Sequence, residues 1–173
     1  NWFRRGISSL LINGLGSSEE LAVRDDQTMF EAFDSEEQVF AASISPATAK
    51  KVAERTRART YITGSYQGRK GMYRVLVNLV DTESGEVMWT NYVEGNLESG
   101  EYLNMADSLC NEIRDYLEIE ALKQKTDYDF REAYTESPDA YRYFTEGVNL
   151  ILTSDYESAI SSLKKALEID SSF

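Results

Sequence analysis

The sequence contains no histidine and only one cysteine, and these absences exclude several kinds of site. Without histidine the chain cannot assemble a Ser-His-Asp or Cys-His catalytic arrangement, and it lacks the commonest metal ligand. Cys110 has no second cysteine with which to form an intrachain disulfide. We therefore predict no catalytic residue, no metal ligand and no cofactor site, and we interpret the chain as a non-enzyme. A hydrolase or transferase is the minor alternative.

Positive charge is also scarce, because 18 Lys and Arg residues face 30 Asp and Glu residues, which gives a formal net charge of −12. Binding of nucleic acid through a broad basic surface needs Lys and Arg to neutralise phosphates, so we expect no nucleic-acid partner. No run approaches the roughly 20 apolar residues of a membrane span, so we expect no direct membrane insertion by this segment. Hydrophobic residues make up 42% of the chain, which is enough to form a packed core.

The stretch Thr60–Gly95 predicts three strands joined by two tight turns, and the rest of the chain is organised around it. Apolar residues that alternate along the second strand lie on one face: they are Tyr73, Val75, Val77 and Leu79. Gly68–Gly71 and Asp81–Gly85 contain residues that favour turns. Leu76 and Val80 on the opposite face indicate that this face is partly covered too.

The third predicted strand has aromatic and β-branched residues that suit a half-buried sheet surface. Val87, Trp89 and Val93 share one face of this strand, and Met88 and Tyr92 share the other. We predict that Trp89 is the anchor of the sheet in the core.

Apolar residues spaced by three and four predict helices on both sides of the sheet. Before the sheet we predict a helix over Trp2–Leu15, a short strand over Glu20–Arg24, a helical turn over Gln27–Phe33, a loop over Asp34–Ile44, and a helix that starts at Ser45-Pro46 and ends near Arg57. After the sheet we predict a long helix capped by Ser99, with Cys110 on its apolar stripe as a buried structural thiol.

The last part of the chain predicts two helices, one opened by Ser137-Pro138 and the other ending near Asp170, separated by Thr153–Asp155. This helical hairpin resembles one tetratricopeptide repeat, in which an aromatic, a glycine and small-large-small positions recur. The matching residues are Tyr143, Gly147, Ala159, Leu163 and Ala166. Ser171 stands where the family usually has proline, and an unrelated helical hairpin is the alternative.

A single repeat of this kind cannot bury both of its faces. We therefore expect Leu163, Leu167 and Phe173 to leave an apolar patch, which a second copy or further repeats would cover. In this interpretation the aromatic connector residues Tyr128, Phe130 and Tyr134 cover only the opposite side of the hairpin.

The part before the hairpin resembles the TolB amino-terminal-like domain that accompanies tetratricopeptide repeats in bacterial adenylate cyclases, Ser/Thr kinases and transcriptional regulators. The resemblance lies in Phe3-Arg4-Arg5-Gly6-Ile7, in Ile62-Thr63-Gly64-Ser65, and in Leu79-Val80-Asp81 with Gly85-Glu86 and Trp89. The family's first strand would precede Phe3 and is absent here. The resemblance implies a mixed α/β domain over residues 1–122, a connector over 123–137 and a single repeat over 138–173.

The same resemblance implies a non-catalytic sensory or protein-interaction module of a larger, membrane-anchored bacterial signalling protein. The implied partner is a protein or peptide, with self-association through the hairpin as one form of that interaction. The alternative is a structural component of a cell-envelope assembly. We expect an extracytoplasmic location, and the sequence leaves the cytoplasm open. Because Asn1 lies at the edge of a predicted helix, we also expect the chain to be part of a longer protein.

Overall fold

A computed structural model describes residues 2–18, 21–41, 43–117 and 134–173. The fold of these residues is mixed α/β, with one sheet of three strands and seven α-helices, the last two of which form a hairpin. The strands are β1 (Thr60–Arg69), β2 (Met72–Asp81) and β3 (Val87–Asn96). The helices are α1 (Trp2–Gly16), α2 (Asp26–Ala32), α3 (Glu36–Phe40), α4 (Pro46–Arg55), α5 (Tyr102–Tyr116), α6 (Pro138–Leu152) and α7 (Tyr156–Ile169).

The sheet is a meander in the order β1-β2-β3, and both strand pairs are antiparallel. In the first turn Lys70 and Gly71 have φ angles of 53° and 81°, as a two-residue loop with the right twist requires. In the second turn a carboxylate oxygen of Asp81 accepts hydrogen bonds from the amide and the hydroxyl of Ser84, at 2.7 and 2.8 Å. The prediction of three consecutive antiparallel strands is confirmed.

One face of the sheet shares a core with α1 and α5. Val75 and Val77 of β2 are buried in this core, and Val93 of β3 packs against it. Leu10 of α1 and Leu109 of α5 are completely buried there. The predicted apolar stripe of α5 therefore does face the core, apart from Tyr116, which is exposed, and Leu117, which is half-buried.

The opposite face of the sheet is open to solvent over much of β3. Arg74 forms an ion pair with Glu94 at 2.6 Å, and its guanidinium lies 4.5 Å from the centre of the exposed Tyr92 ring. Val80 is buried and Leu76 is half-buried, which agrees with the partial cover predicted for this face.

Two predictions for the segment between α1 and α4 are wrong. Leu21–Arg24 are irregular and pair with no described strand, so the predicted strand over Glu20–Arg24 does not form in these residues. The predicted loop over Asp34–Ile44 contains α3, whose first turn is capped by Ser35 through the Gln38 amide. Ser and Gln three residues apart have the spacing of a capping box, a sequence signal that the loop prediction did not use.

Two helix ends also differ from the prediction. Ser99 does not cap α5, because it lies in a short 3₁₀ turn over Leu97–Ser99 and its hydroxyl donates to the Asn96 carbonyl at 3.0 Å. α5 begins three residues later, at Tyr102. α4 ends at Arg55 rather than near Arg57, because Arg57 adopts a φ of 54° that a continuing helix does not allow.

Candidate interaction surface

The hairpin of α6 and α7 is built from local signals that the sequence shows clearly. The hydroxyl of Ser137 accepts a hydrogen bond from the Ala140 amide at 3.3 Å, and Pro138 occupies the first position of α6. Asp155 caps α7 by accepting from the Ser158 amide at 3.2 Å. Between the helices Ser154 takes a φ of 62°, which turns the chain back on itself. The predicted helix start at Ser137-Pro138 is confirmed.

Small residues form the seam between the two helices. Ala159 and Ala166 of α7 are buried, and Gly147 of α6 lies directly against α7. A Cβ atom added at Gly147 would lie 2.6 Å from Cγ of Leu163, which is far inside van der Waals contact. The close approach of α6 and α7 therefore depends on glycine at this position.

Tyr143 differs from the other residues of the predicted repeat signature. Its ring is half-buried and lies beneath two cationic groups, the guanidinium of Arg142 at 4.9 Å and the ammonium of Lys165 at 5.4 Å. Gly147 and its contacts Ala159 and Leu163 meet in the seam, so the structure brings the glycine and the small-large positions together. Tyr143 contacts α7 through Lys165.

Tyr141 is the aromatic residue that fixes the hairpin to the rest of the molecule, and the sequence analysis missed it. The ring is fully buried and stacks on Tyr102 of α5 at 5.2 Å. Its hydroxyl donates to the Gly6 carbonyl of α1 at 2.9 Å, and burial raises the pKa of this hydroxyl well above its ordinary value. Gly6 has no room for a side chain, since a Cβ there would lie 2.7 Å from the Tyr141 ring.

α6 has buried residues on more than one side. Ala140 and Gly147 are buried on one side, whereas Ile151 is exposed and Tyr143 is half-buried. Tyr141, Thr145 and the half-buried Val148 follow a spacing of four and three along a second face. That spacing was the available signal for a helix with two buried sides.

The outward side of α7 carries an apolar stripe, which we define as Tyr156, Ile160 and Leu167 and call the outer stripe. Their exposed fractions are 61%, 54% and 49%. Separations of four and seven residues place all three on one face of the helix. Exposure at Leu167 was predicted, whereas Phe173 is packed against Phe144 of its own chain with ring centres 4.9 Å apart. Leu163 is half-buried against Gly147 in the seam, so the predicted patch excludes both Phe173 and Leu163.

Trp89 lies at the margin of the core rather than at its centre. Its ring is half-buried, packs against the core cluster and lies 6.1 Å from the ring of Tyr116. A register irregularity between Leu79 and Val80 brings Val87 opposite Val80, and Val87 is exposed. The role of Trp89 as the anchor of the sheet stays a prediction.

The described residues show few features of a reactive site. Cys110 is fully buried, as predicted, and burial raises the pKa of its thiol to about 12, so it is held as the neutral thiol. Among the described residues no three His, Cys, Asp or Glu side chains are grouped so that they could hold a metal ion. Within those same ranges, no helix combines the length and the apolar character needed to cross a bilayer. The connector aromatics Tyr128 and Phe130 lie outside the described ranges.

Comparison with protein-family models, with curated proteins and with solved structures finds no match to this chain.

The hairpin of α6 and α7 therefore has one side packed against the core and another side that presents the outer stripe. Tyr141 joins the hairpin to α1, and Gly147 lies in the seam between α6 and α7. No element in the described part of the chain covers the outer stripe. Such a surface can bind another apolar surface.

Proposed function

We propose that the chain is a non-catalytic sensory or protein-interaction module of a larger bacterial signalling protein, and that α6 and α7 form a tetratricopeptide-type repeat within it. The observation that supports this proposal most strongly is the outer stripe. On α7 the small residues Ala159 and Ala166 are buried, while larger apolar side chains, including Ile160 and Leu167, face outward. A helix with only solvent outside it normally shows the reverse distribution.

The partner implied by the outer stripe is a surface with apolar side chains at helical spacing. Tyr156, Ile160 and Leu167 extend over three turns of α7, so a helix lying along α7 can contact all of them. Monomeric proteins rarely leave large apolar patches in water, and burying an apolar side chain stabilises a complex by about 1.5–3 kcal/mol. A second copy of this hairpin supplies such a surface in a solution of the chain alone.

Analytical ultracentrifugation tests this proposal. We expect the chain to sediment as a reversible dimer whose population rises with protein concentration. Leu167→Glu places a charge within the contact and should shift the protein to monomer at the same concentrations.

Met72→Glu is the matched control, because Met72 is 50% exposed and Leu167 is 49% exposed, but Met72 lies in the sheet. It adds the same charge and should leave the dimer intact. A strict monomer for the unaltered chain, or equal dissociation by both variants, would contradict the role of the outer stripe.

The signalling context is tested separately, by the complete coding sequence that contains this chain. A cyclase, kinase or DNA-binding domain in the same polypeptide is the result that we expect. A lipoprotein signal with no effector domain would contradict the signalling context and would leave the interaction surface untouched.

A further inference from the structure

A cleft of about 350 Å³ lies where α1, α3 and α6 meet. Three arginines line it, Arg4 and Arg5 from α1 and Arg142 from α6. Trp2 and Phe40 supply its aromatic walls. The grouping of three guanidinium groups is notable because the whole chain carries a net charge of −12.

The positive charge of this cleft is only partly compensated by the protein. No described carboxylate forms an ion pair with Arg4 or Arg5. Both arginines belong to the same turn of α1, and that turn contains no acidic residue. Two neighbouring guanidinium groups repel each other, and an anion bound between them would relieve that repulsion.

The three arginines use only some of their N–H groups in contacts within the protein, so other N–H groups can donate to a ligand. Arg4 donates to the Val39 carbonyl at 3.2 Å through one of its two terminal nitrogens. Arg5 lies 4.9 Å from the centre of the Phe40 ring, and Arg142 forms a longer ion pair with Asp139 at 3.5 Å. A guanidinium carries five N–H donors, so each of these groups can still donate to an oxyanion.

Three carboxylates oppose this charge. Glu146 lines the cleft, Asp139 pairs with Arg142, and Asp26 lies close enough to Arg5 to stabilise its charged form. The Asp26 carboxylate accepts a hydrogen bond from Ser9 at 2.6 Å. Of these three carboxylates only Glu146 belongs to the lining, so the three arginines leave the lining of the cleft with a net positive charge.

We propose that this cleft binds a small organic anion in which a carboxylate or phosphate group is joined to an aromatic body. Arginine pairs with both kinds of oxyanion through two parallel hydrogen bonds. Trp2 and Phe40 offer faces and edges on which a ring can pack. A volume near 350 Å³ is at the lower end for ligand pockets, which favours a small molecule. This proposal does not depend on the interaction surface of α7.

The test measures binding through the fluorescence of Trp2, which lines the cleft. The chain has two tryptophans, so Trp89→Phe leaves Trp2 as the only one. We expect phenyl phosphate and phthalate to change the fluorescence of Trp2 saturably in this variant. Benzyl alcohol, which has the ring without the charge, should give no saturable change. Inorganic phosphate, which has the charge without the ring, should bind at least about ten-fold more weakly than phenyl phosphate.

Arg142→Gln is the diagnostic substitution, because the contacts of Arg142 are on the surface and its loss should not disturb the core. We expect it to weaken binding of phenyl phosphate about ten-fold, the usual effect of losing a hydrogen bond to a charged group. Arg69→Gln, an exposed position at the end of β1, removes the same charge and should change binding less than about two-fold. Circular dichroism would establish that both variants are folded, and Arg142→Lys, which keeps the charge but not the paired donors, should give an intermediate loss.

Three results would overturn the proposal. One is the absence of a saturable change with both phenyl phosphate and phthalate. Another is an equal response to benzyl alcohol, which would mean that only the aromatic walls bind. The third is equal weakening by Arg142→Gln and Arg69→Gln, which would mean that the response reflects overall charge. Binding of phenyl phosphate alone would support the proposal and identify phosphate as the anion.

Discussion

Helices α5 and α7 have similar lengths and similar amphipathic patterns, yet they use their apolar residues in opposite ways. The buried face of α5 contains large side chains such as Leu103, Leu109 and Ile113. The buried face of α7 contains Ala159, Ser162 and Ala166, and most of its large residues are exposed. The first pattern belongs to a helix that fills a core, and the second to a helix that lies close to one neighbour and leaves room for another.

This difference shows what helical periodicity can and cannot decide. A spacing of three and four establishes that a helix has an apolar side. Whether that side is covered depends on elements far away in sequence. Among the described residues such elements cover α5 on the sheet side and leave the outer stripe of α7 exposed. The size of the residues on each face carries the additional information, because only small residues permit a close helix pair.

The largest effect should come from applying one substitution to both helices. Leu109→Ala removes a fully buried side chain and leaves a cavity, so we expect a loss of about 3 kcal/mol in the free energy of unfolding. Leu167→Ala should change it by no more than about 0.5 kcal/mol at concentrations where the chain is monomeric. Urea titration measures both, and similar losses would show that Leu167 is buried in the monomer.

A smaller effect should come from the seam between α6 and α7. Gly147→Ala raises helix propensity by about 1 kcal/mol, but its Cβ would lie 2.6 Å from Leu163. We expect a net destabilisation of about 1 kcal/mol, because overpacking outweighs propensity.

Combining this change with Leu163→Ala provides the matched control for the seam. In the Leu163→Ala background the same Gly147→Ala change should become neutral or stabilising, because the obstructing side chain is gone. Additive effects in this double-mutant cycle, measured by thermal unfolding, would argue against a tight seam.

The smallest effect concerns α4, which like α7 buries few large side chains. Asp34 pairs with Lys51 and Arg55 of α4, both at 2.7 Å, and hydrogen bonds from Lys51 and then Arg55 lower the pKa of the Asp34 carboxyl. A lowered pKa in the folded state stabilises the protein above the ordinary pKa of the carboxyl, near pH 4, and this contribution is lost as the pH falls through the lowered value.

We therefore expect Asp34→Asn to flatten the dependence of the melting temperature on pH below about pH 4, with little change at pH 7 because the pair is exposed. Asp115→Asn, at an exposed position of α5, is the control and should leave that dependence unchanged. If the melting temperature of Asp34→Asn depended on pH below about pH 4 as steeply as that of the unaltered chain, the ion pairs would not form in solution.

Much of the architecture could be predicted because its signals are local. Alternation around Val75 and the turn residues at Gly71 and Gly85 defined the meander, and capping by Ser45 and Ser137 located two helix starts. The errors arose where the decisive contact is distant. Tyr141 is buried by Gly6 and Tyr102, and the spacing within α6 indicates a second apolar side without showing which distant helices cover it.

The candidate site was predictable to a similar extent. Small residues such as Gly147 and Ala159 were recognised from their spacing as positions that let two helices approach closely, and they lie in the seam, where Leu163 packs as well. The covering of Phe173 by Phe144 was missed, since it depends on how the chain turns after α7. The arginine cleft was not anticipated either, because α3 lies in a segment predicted to be a loop and α6 follows more than a hundred residues after α1.

The hydrogen bond between Tyr141 and Gly6 joins residues that are 135 positions apart. Closing a loop of that length costs about 4 kcal/mol of chain entropy beyond a constant term, whereas each turn of the meander closes only a few residues. The strands can therefore form quickly from near neighbours, and the joining of α1 to α6 waits for a long diffusive search. Until that search succeeds, the face of α1 that ends up against α6 is exposed in the folding chain, and the speed of the last step sets how long the chain remains prone to aggregate.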